Sequence, residues 1–265
     1  MCQNSHLMNG SNIKKLSPSR LGTLLNGTKH TILIVEAATL LSLSKKETAK
    51  LLSRWAKEGW LLRVKQGLYA PASFDESSGS EENTRWVLAE KIYSPCYIGA
   101  LSAAMYWGLI KEPINFVTVL TTKKYRNLYQ ALKGVNFLLR TISEESMFGL
   151  QVFSCGQVKV LLSDPSRTII DFLIDPKLGG GISAVTDIFI NYLKSEHRDM
   201  DLLFNYAKRS YNGAVLKRLG YFLEKYSTEE FNIIALCKML MTTGYVKLDP
   251  QNSGNKLITR WGLWI

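Results

Sequence analysis

The sequence predicts an α+β protein in two parts, a small basic N-terminal module and a larger mixed α/β module. Positive charge is concentrated in residues 1–72, which hold eleven Lys and Arg against three Glu, a net charge of +8 out of +11 for the whole chain. The Ser-rich, acidic segment 73–83 has the composition of a linker. Beyond it, two helical segments precede a set of strand-like runs, and helical periodicity resumes after them. We therefore predict an N-terminal domain at 13–72 and a second domain at 84–265.

The bulk composition favours a globular protein without catalytic metal or disulfide chemistry. Hydrophobic residues make up 46% of the 265 residues and charged residues 21%, which suits a buried core. The four cysteines have no metal-type spacing and are expected to be free thiols: Cys2, Cys96, Cys155 and Cys237. No apolar run reaches the roughly 18 residues that span a bilayer, and the N-terminus lacks a signal-peptide pattern. These features predict a cytoplasmic location and no membrane association.

Two short helices are predicted at the start of the N-terminal domain. Ser17 is placed to cap the first helix, and Pro18 suits its first position. The second helix covers IVEAATLLSL and leads into a turn at Ser42–Ser44. The apolar spacing predicts that the buried residues are Leu21, Leu24 and Leu25 in the first helix and Ala37, Leu40 and Leu41 in the second.

A third, basic helix begins at Ser44. Ser44 and Glu47 have the spacing of a capping box, and Gly59 is placed to end the helix. One face is expected to pack inward through Ala49, Leu52, Trp55 and Ala56. The opposite face and its flanks hold Lys45, Lys46, Lys50, Ser53, Arg54 and Lys57.

A basic hairpin follows the third helix. Leu62 and Val64 alternate with Arg63 and Lys65, Gln-Gly forms the turn, and Leu-Tyr-Ala returns as the second strand. Two short helices, a capped basic helix and a basic hairpin together indicate a winged helix-turn-helix. We predict that the DNA-binding residues are Lys45, Lys46, Lys50, Ser53, Arg54, Lys57, Arg63 and Lys65. The alternative is an ordinary solvated helix face.

The second domain is predicted as a larger mixed α/β domain with a small sheet and a helical C-terminal part. Its expected helices lie around Trp86–Tyr93, at Gly99–Ile110 and in five segments after Asp164, which is the expected cap of the first of these. Arg167 and Asp171 are predicted to pair on an exposed helix face. The expected strands are Phe116–Thr122, Val135–Ile142, Leu150–Ser154 and Val158–Ser163. Tryptophans 107, 261 and 264 are expected in the core.

Known catalytic patterns are missing from the sequence. His6, His30 and His197 have no metal-ligand spacing, and the Gly179–Gly181 run lacks the Lys-Ser/Thr of a phosphate-binding loop. Gln157–Lys159 is similar to part of a metal-dependent nuclease motif, but residues 113–156 contain no Asp to complete it. We expect a protein without enzymatic activity, cofactor or metal, and keep a nuclease as the lesser alternative.

A second basic cluster is predicted in the C-terminal helices. It consists of Lys208, Arg209, Lys217 and Arg218, with Lys225 nearby. Such a cluster can hold DNA beyond the first domain, RNA or an acidic partner. A solvated helix face is the alternative.

The chain resembles a known family through four segments that cover most of its length. LLSLSKKETAKLLSRWAKEGWLLRVKQGLYAP, GALSAAMYWGL, DPSRTIIDFL and ITRWGLWI resemble, in this order, segments of AbiEi-type antitoxins, the regulatory partners of nucleotidyltransferase-like AbiEii toxins of abortive-infection systems. The family commonly has Gly where this chain has Ser42. The resemblance implies a repressor that binds inverted repeats in its own promoter and neutralises a toxin. A module that binds a partner or toxin without specific DNA binding is the alternative.

Overall fold

The computed structural model divides into two compact units, Met1–Ser78 and Gly79–Ile265. We call them the N-terminal unit and the C-terminal unit. The structure describes residues 18–28, 31–71, 81–132, 134–155, 158–227 and 229–265. Most of the predicted linker therefore lies outside the described residues. Its last three residues, 81–83, belong to a helix.

The N-terminal unit combines three helices and a small antiparallel sheet in its described segments. Their order along the chain is α1 (Pro18–Gly27), β1 (Ile32–Leu33), α2 (Ile34–Leu41), α3 (Lys45–Lys57), β2 (Leu61–Lys65) and β3 (Leu68–Pro71). β3 lies between β1 and β2. The sequence did not predict β1, because two residues are too few for a strand pattern. Ser17, the predicted cap of α1, lies outside the described residues.

The core of the N-terminal unit forms where the three helices meet the sheet. Its buried residues are Leu21, Leu24, Ile32, Ala37, Leu52, Trp55, Leu61 and Tyr69. Leu40, a predicted core position, is instead 42% exposed. In β2, Leu61 and Val64 are buried and Leu62 is half-buried. The strand pairing shifts register between Arg63 and Lys65, so the simple alternation of inward and outward residues is broken.

Left-handed residues end two helices of the N-terminal unit. Ser42 follows α2 with φ 52°, and its N–H faces carbonyl groups of the last helical turn. Gly59 follows α3 with φ 82°, and the Trp60 N–H donates to the Trp55 carbonyl at 2.9 Å. The predicted helix end at Gly59 is confirmed, and so is the turn after α2. Gly takes this conformation without the steric cost that Ser incurs.

The C-terminal unit is built around a mixed sheet. Six strands are described in it: β4 (Cys96–Ile98), β5 (Phe116–Thr121), β6 (Tyr129–Leu132), β7 (Val135–Thr141), β8 (Leu150–Cys155) and β9 (Val158–Ser163). Their spatial order is β6-β7-β5-β4-β9-β8, with parallel pairing of β5 with β7 and of β4 with β9. The four predicted strands are confirmed within a residue. The sequence did not predict β4 and β6, because both are short and neither shows a clear alternation of apolar and polar residues.

The helices of the C-terminal unit lie near their predicted positions, but the first begins five residues before Trp86 and the second ends four residues before Ile110. The described helices are α4 (Glu81–Tyr93), α5 (Ala100–Tyr106), α6 (Pro165–Ile174), α7 (Ile182–Lys194), α8 (Met200–Arg209), α9 (Gly213–Tyr226) and α10 (Phe231–Leu240). Three short strands follow as a further sheet: β10 (Val246–Lys247), β11 (Leu257–Ile258) and β12 (Leu263–Trp264). Of the three tryptophans expected in the core, Trp261 is fully buried, Trp107 half-buried and Trp264 39% exposed.

α6 is the central helix of this unit. Every residue from Ser166 to Leu173 is buried. Asp164 caps the helix as predicted, accepting from the Arg167 N–H at 2.7 Å. Arg167 and Asp171 also pair as predicted, but the expected exposed face is wrong because both side chains are 1% exposed. Neighbouring elements cover α6 on all sides, which the spacing of its residues does not reveal.

In the described part of the chain, no helix combines the length and apolar character needed to cross a membrane.

Candidate nucleic-acid interface

The start of α3 is fixed by a capping box. The Ser44 hydroxyl accepts from the Glu47 N–H at 3.3 Å, and the Glu47 carboxylate accepts from the Ser44 N–H at 3.1 Å. The hydroxyl also donates to that carboxylate at 2.6 Å. These hydrogen bonds from Ser44 lower the pKa of Glu47. The predicted cap is therefore confirmed.

The two faces of α3 differ in burial and charge. Thr48, Leu52 and Trp55 are buried on the inner face. On the outer side, Lys45, Lys46, Lys50, Arg54 and Lys57 are exposed and Ser53 is half-buried. The inner residues fix the helix against the sheet, so the outer cations are presented to solvent from a rigid element.

A groove runs between α3 and the β2–β3 hairpin. Its volume is about 510 Å³, and its lining residues are Ile34, Ala49, Lys50, Ser53, Arg54, Lys57, Arg63, Gln66, Gly67 and Tyr69. The Ile34 N–H donates to the Gly67 carbonyl at 3.2 Å, which ties the hairpin turn to the start of α2. The hairpin is thereby held at a defined position beside α3.

The structure brings five of the eight predicted DNA-binding residues together in this groove: Lys50, Ser53, Arg54, Lys57 and Arg63. Lys45 and Lys46 are exposed in the first turn of α3 and do not line it. Lys65 lies in β2, and its side chain is outside the described residues. Ile34, Gln66 and Tyr69 line the groove although the sequence did not single them out. The prediction of this surface depended on the pattern of basic residues. The neutral residues of the groove have no comparable pattern in the sequence.

The groove has a strongly positive lining. Four of its described lining residues are Lys or Arg, and none of the lining residues is acidic. Arg54 lies 3.7 Å from Glu58 one helical turn away, an exposed contact that leaves the guanidinium accessible. Positive side chains around a concave surface attract phosphate oxygens and release counterions when they bind them.

Of the four residues in the predicted second basic cluster, only Lys208 and Arg209 face solvent. Both are exposed, with Lys208 Nζ 4.9 Å from the Phe204 ring centroid and Arg209 Cζ 4.4 Å from that of Phe148. The prediction is wrong for Lys217 and Arg218, which are 0% and 4% exposed.

Lys217 and Arg218 bind backbone carbonyl groups instead of facing solvent. Lys217 Nζ donates to Gly244 at 2.5 Å, and burial lowers the pKa of Lys217. The Arg218 guanidinium donates to the carbonyls of Leu248, Leu173 and Lys247. These bonds connect α9 to the end of α6 and to the C-terminal strands, so the two cations have a structural role.

The two carboxylates at the start and middle of α6 are engaged in structural contacts. Asp164 caps α6 and accepts from the Tyr206 hydroxyl at 2.9 Å, while Asp171 pairs with Arg167. The described residues contain no group of three or more His, Cys, Asp or Glu side chains that could hold a metal ion. In the nuclease-like stretch, Lys159 is exposed on β9, and Gln157 lies outside the described residues.

The triple-glycine run is explained by a helix start. Gly180 and Gly181 have φ values of 87° and 106°, and the Asp249 carboxylate accepts from the Ile182 N–H at 3.2 Å. Asp249 therefore occupies the N-terminus of α7, where an anionic ligand would otherwise bind.

Comparison with protein-family models gave no match, and comparison with curated proteins gave none either. The resemblance to AbiEi-type antitoxins thus remains a prediction from the segments of this sequence.

Proposed function

We propose that the N-terminal unit is a winged helix that binds double-stranded DNA and that the protein is a transcriptional repressor. The observation that carries this proposal is the groove between α3 and the β2–β3 hairpin, with Lys50, Arg54, Lys57 and Arg63 around it. The order helix, strand, two helices and hairpin is that of a winged helix. α3 would enter the major groove, and the hairpin would contact the adjoining backbone.

We further propose that the repressor is the antitoxin of an abortive-infection toxin–antitoxin system. This part of the proposal is supported by the four segments that resemble AbiEi-type antitoxins. It implies a cytoplasmic protein, inverted repeats in its own promoter as the operator, and a nucleotidyltransferase-like toxin as a partner. The C-terminal unit would provide toxin neutralisation, and neither activity requires catalysis, metal or cofactor.

The first experiment is binding of the full chain to its own upstream DNA and to a shuffled duplex across a salt series. A repressor prefers the native sequence at every salt concentration, and its affinity falls steeply as salt rises. Equal affinity for both duplexes would contradict sequence-specific repression. Absence of binding to either duplex at low salt would contradict DNA binding altogether.

A triple variant tests the surface that is involved. Replacing Lys46, Lys50 and Arg54 by Gln should lower affinity at least tenfold and reduce the salt slope by about 0.9 for each phosphate that the variant no longer neutralises. The matched control replaces three exposed lysines of the C-terminal unit by Gln, namely Lys111, Lys123 and Lys124. Unchanged binding by a folded triple variant would overturn the assignment of α3.

Toxin neutralisation is tested separately, by growth of cells that express a candidate toxin with or without this chain. Rescue by the wild type and by the α3 triple variant would separate neutralisation from repression. Rescue by a wild-type chain that fails to bind its own upstream DNA would favour the partner-binding alternative. A chain that rescues no candidate toxin encoded beside it would contradict the antitoxin proposal.

A further inference from the structure

The outer face of α10 is largely apolar and open to solvent, with Asn232 as an exposed polar residue on it. The exposed fractions are 71% for Phe231, 69% for Met239, 45% for Leu240 and 37% for Leu236. The inner face of the same helix is buried through Ile233, Ile234 and Cys237. A helix that is apolar on both its inner and outer faces is expected to be covered on both sides, because exposed apolar patches of this kind mark interaction surfaces.

The exposed residues form two adjoining rows along the helix. Phe231, Ala235 and Met239 follow one another at intervals of four residues, and the exposed Asn232, Leu236 and Leu240 form the next row. Ala235 lies at the centre of the first row, where its small side chain permits close approach of another backbone. In an antiparallel pair of α10 helices related by a twofold axis at Ala235, Phe231 of one copy faces Met239 of the other. An aromatic ring beside a thioether is a favourable contact.

The size of the patch matches the requirement of a symmetric dimer. The exposed residues of the outer face present an area on the order of 500 Å². A twofold pair buries this area on both copies, about 1,000 Å², which is the lower limit for a specific interface. A single patch of this size therefore suffices when its partner is an identical patch.

The charges at the two ends of α10 favour the antiparallel arrangement. Glu229 and Glu230 stand at the N-terminal end with Arg198, and the Glu229 side chain is 78% exposed. Lys238 lies near the C-terminal end, where its ammonium donates to the Arg260 carbonyl. Antiparallel helices place the acidic end of one copy beside the basic end of the other. A parallel pair would bring like charges together.

We propose that α10 is a dimerisation helix and that its outer face binds the same face of a second copy of this chain. The interface is isologous, with Ala235 at the twofold axis and Phe231 packed on Met239 of the other copy. The inference depends only on the surface of the C-terminal unit. The dimer proposal is therefore independent of the DNA-binding proposal. A twofold dimer is nevertheless the form suited to an inverted repeat.

The test is the mass of the full chain in sedimentation equilibrium. The wild type should sediment with twice the chain mass of 29.9 kDa, and Met239→Glu should restore the monomer, because it places a carboxylate in the apolar contact. Tyr129→Glu is the control, since Tyr129 is 73% exposed on the edge strand β6. It should leave the dimer intact.

Disulfide cross-linking identifies the axis without weakening the interface. Ala235→Cys should form a covalent dimer on mild oxidation, because the two copies of residue 235 meet at the twofold axis. Ser183→Cys, at an exposed position of α7, should form none at the same protein concentration.

Three results would overturn the proposal. A wild type that stays monomeric at about 100 μM has no interface of the expected strength. A dimer that survives Met239→Glu, or one that Tyr129→Glu dissociates, uses another surface. Failure of Ala235→Cys to cross-link more than Ser183→Cys excludes the antiparallel arrangement even if Met239→Glu should impair folding.

Discussion

The guanidinium of Arg167 lies 3.0 Å from the carboxylate of Asp171 in a fully enclosed part of the C-terminal unit, where each side chain is 1% exposed. Arg167 also donates to the Tyr97 hydroxyl at 2.8 Å, and this hydroxyl donates to Asp171 at 2.9 Å. Arg167 Cζ lies 4.2 Å from the centroid of the Phe148 ring. The pair thus connects α6 to β4 through Tyr97.

Breaking this buried pair should be strongly destabilising. Asp171→Asn keeps the shape of the side chain but leaves the Arg167 charge in the core without its counterion. We expect a loss of about 3–5 kcal/mol in the free energy of unfolding. Denaturant unfolding, followed by circular dichroism, measures the loss.

The matched control for Asp171→Asn is Glu58→Gln in the exposed pair with Arg54, whose side chains are 39% and 61% exposed. Water screens that contact, so we expect a change within about 1 kcal/mol. If the two substitutions lower the free energy of unfolding equally, burial does not explain the importance of the Arg167–Asp171 pair.

Ser42 is expected to be a strained position. Its φ of 52° lies in the left-handed region, where a side chain with a Cβ is disfavoured. Ser42→Gly should therefore raise the free energy of unfolding by about 0.5–1 kcal/mol, even after the greater freedom of Gly in the unfolded chain is counted. Thermal unfolding of the full chain measures the effect.

Gly59→Ala provides the opposite control. Gly59 has φ 82°, and an added Cβ would meet no atom within 4 Å. Any loss of stability there reports on the backbone conformation alone. If Ser42→Gly and Gly59→Ala shift the melting temperature in the same direction, the conformational explanation is wrong.

The capping box of α3 should weaken in acid. Ser44 lowers the pKa of Glu47 in the folded state below its usual value of 4.5. The unfolded chain then binds more protons, so the contribution of Glu47 is fully present above its unfolded pKa and is lost as the pH falls through the folded pKa. Wild type should melt above Glu47→Gln at pH 6, and this gap should be smaller at about pH 3.

Ser44→Ala removes the hydroxyl that lowers the pKa of Glu47. It should lower the melting temperature at pH 6, with a cost of about 1 kcal/mol, as is usual for loss of a helix cap. A gap between wild type and Glu47→Gln that is the same at both pH values would contradict the proposed charge effect.

The hairpin and α3 should affect DNA binding in different ways if the proposed function is correct. Arg63→Ala on β2 removes a phosphate contact, so affinity should fall by a similar factor for the native and shuffled duplexes, with a salt slope smaller by about 0.9. Arg54→Ala on α3 should weaken binding to the native duplex more and lower the preference for it. Titrations with both duplexes separate these outcomes.

Two results would contradict this division of roles. Loss of sequence preference in Arg63→Ala would place base contacts on the hairpin. An unchanged salt slope in the same variant would show that Arg63 binds no phosphate. Lys111→Gln, at an exposed position of the C-terminal unit, provides the control for loss of one positive charge.

Local features of the chain were predictable because they depend on residues close in sequence. The capping box of Ser44 and Glu47 closes within three residues, and Asp164 caps α6 over the same distance. The helix end at Gly59 also follows from neighbouring residues, as does the amphipathic pattern that buries Trp55. These signals located the basic helix and the main strands, and through them most of the candidate DNA-binding groove.

Burial of charged residues was not predictable in the same way. Lys217 and Arg218 have the spacing of surface residues on α9, yet they bind carbonyl groups at residues 244, 248, 173 and 247, distant in sequence. Arg167 and Asp171 were recognised as a pair but were predicted to lie on an exposed face of α6, whose residues from Ser166 to Leu173 are all buried. In each case the sequence gives no sign of the segment that covers the side chain.

Gly220 is another residue whose surroundings could not be predicted from the sequence. A Cβ added there would collide with the Trp261 ring, which lies over α9. Forty-one positions separate the two residues, so nothing around Gly220 in the sequence indicates the contact. Thus the sequence by itself determined where the capped helices begin and which module carries the positive charge, because capping and charge are local. The tertiary structure decided which cations reach solvent, because burial depends on chain segments that meet only after folding.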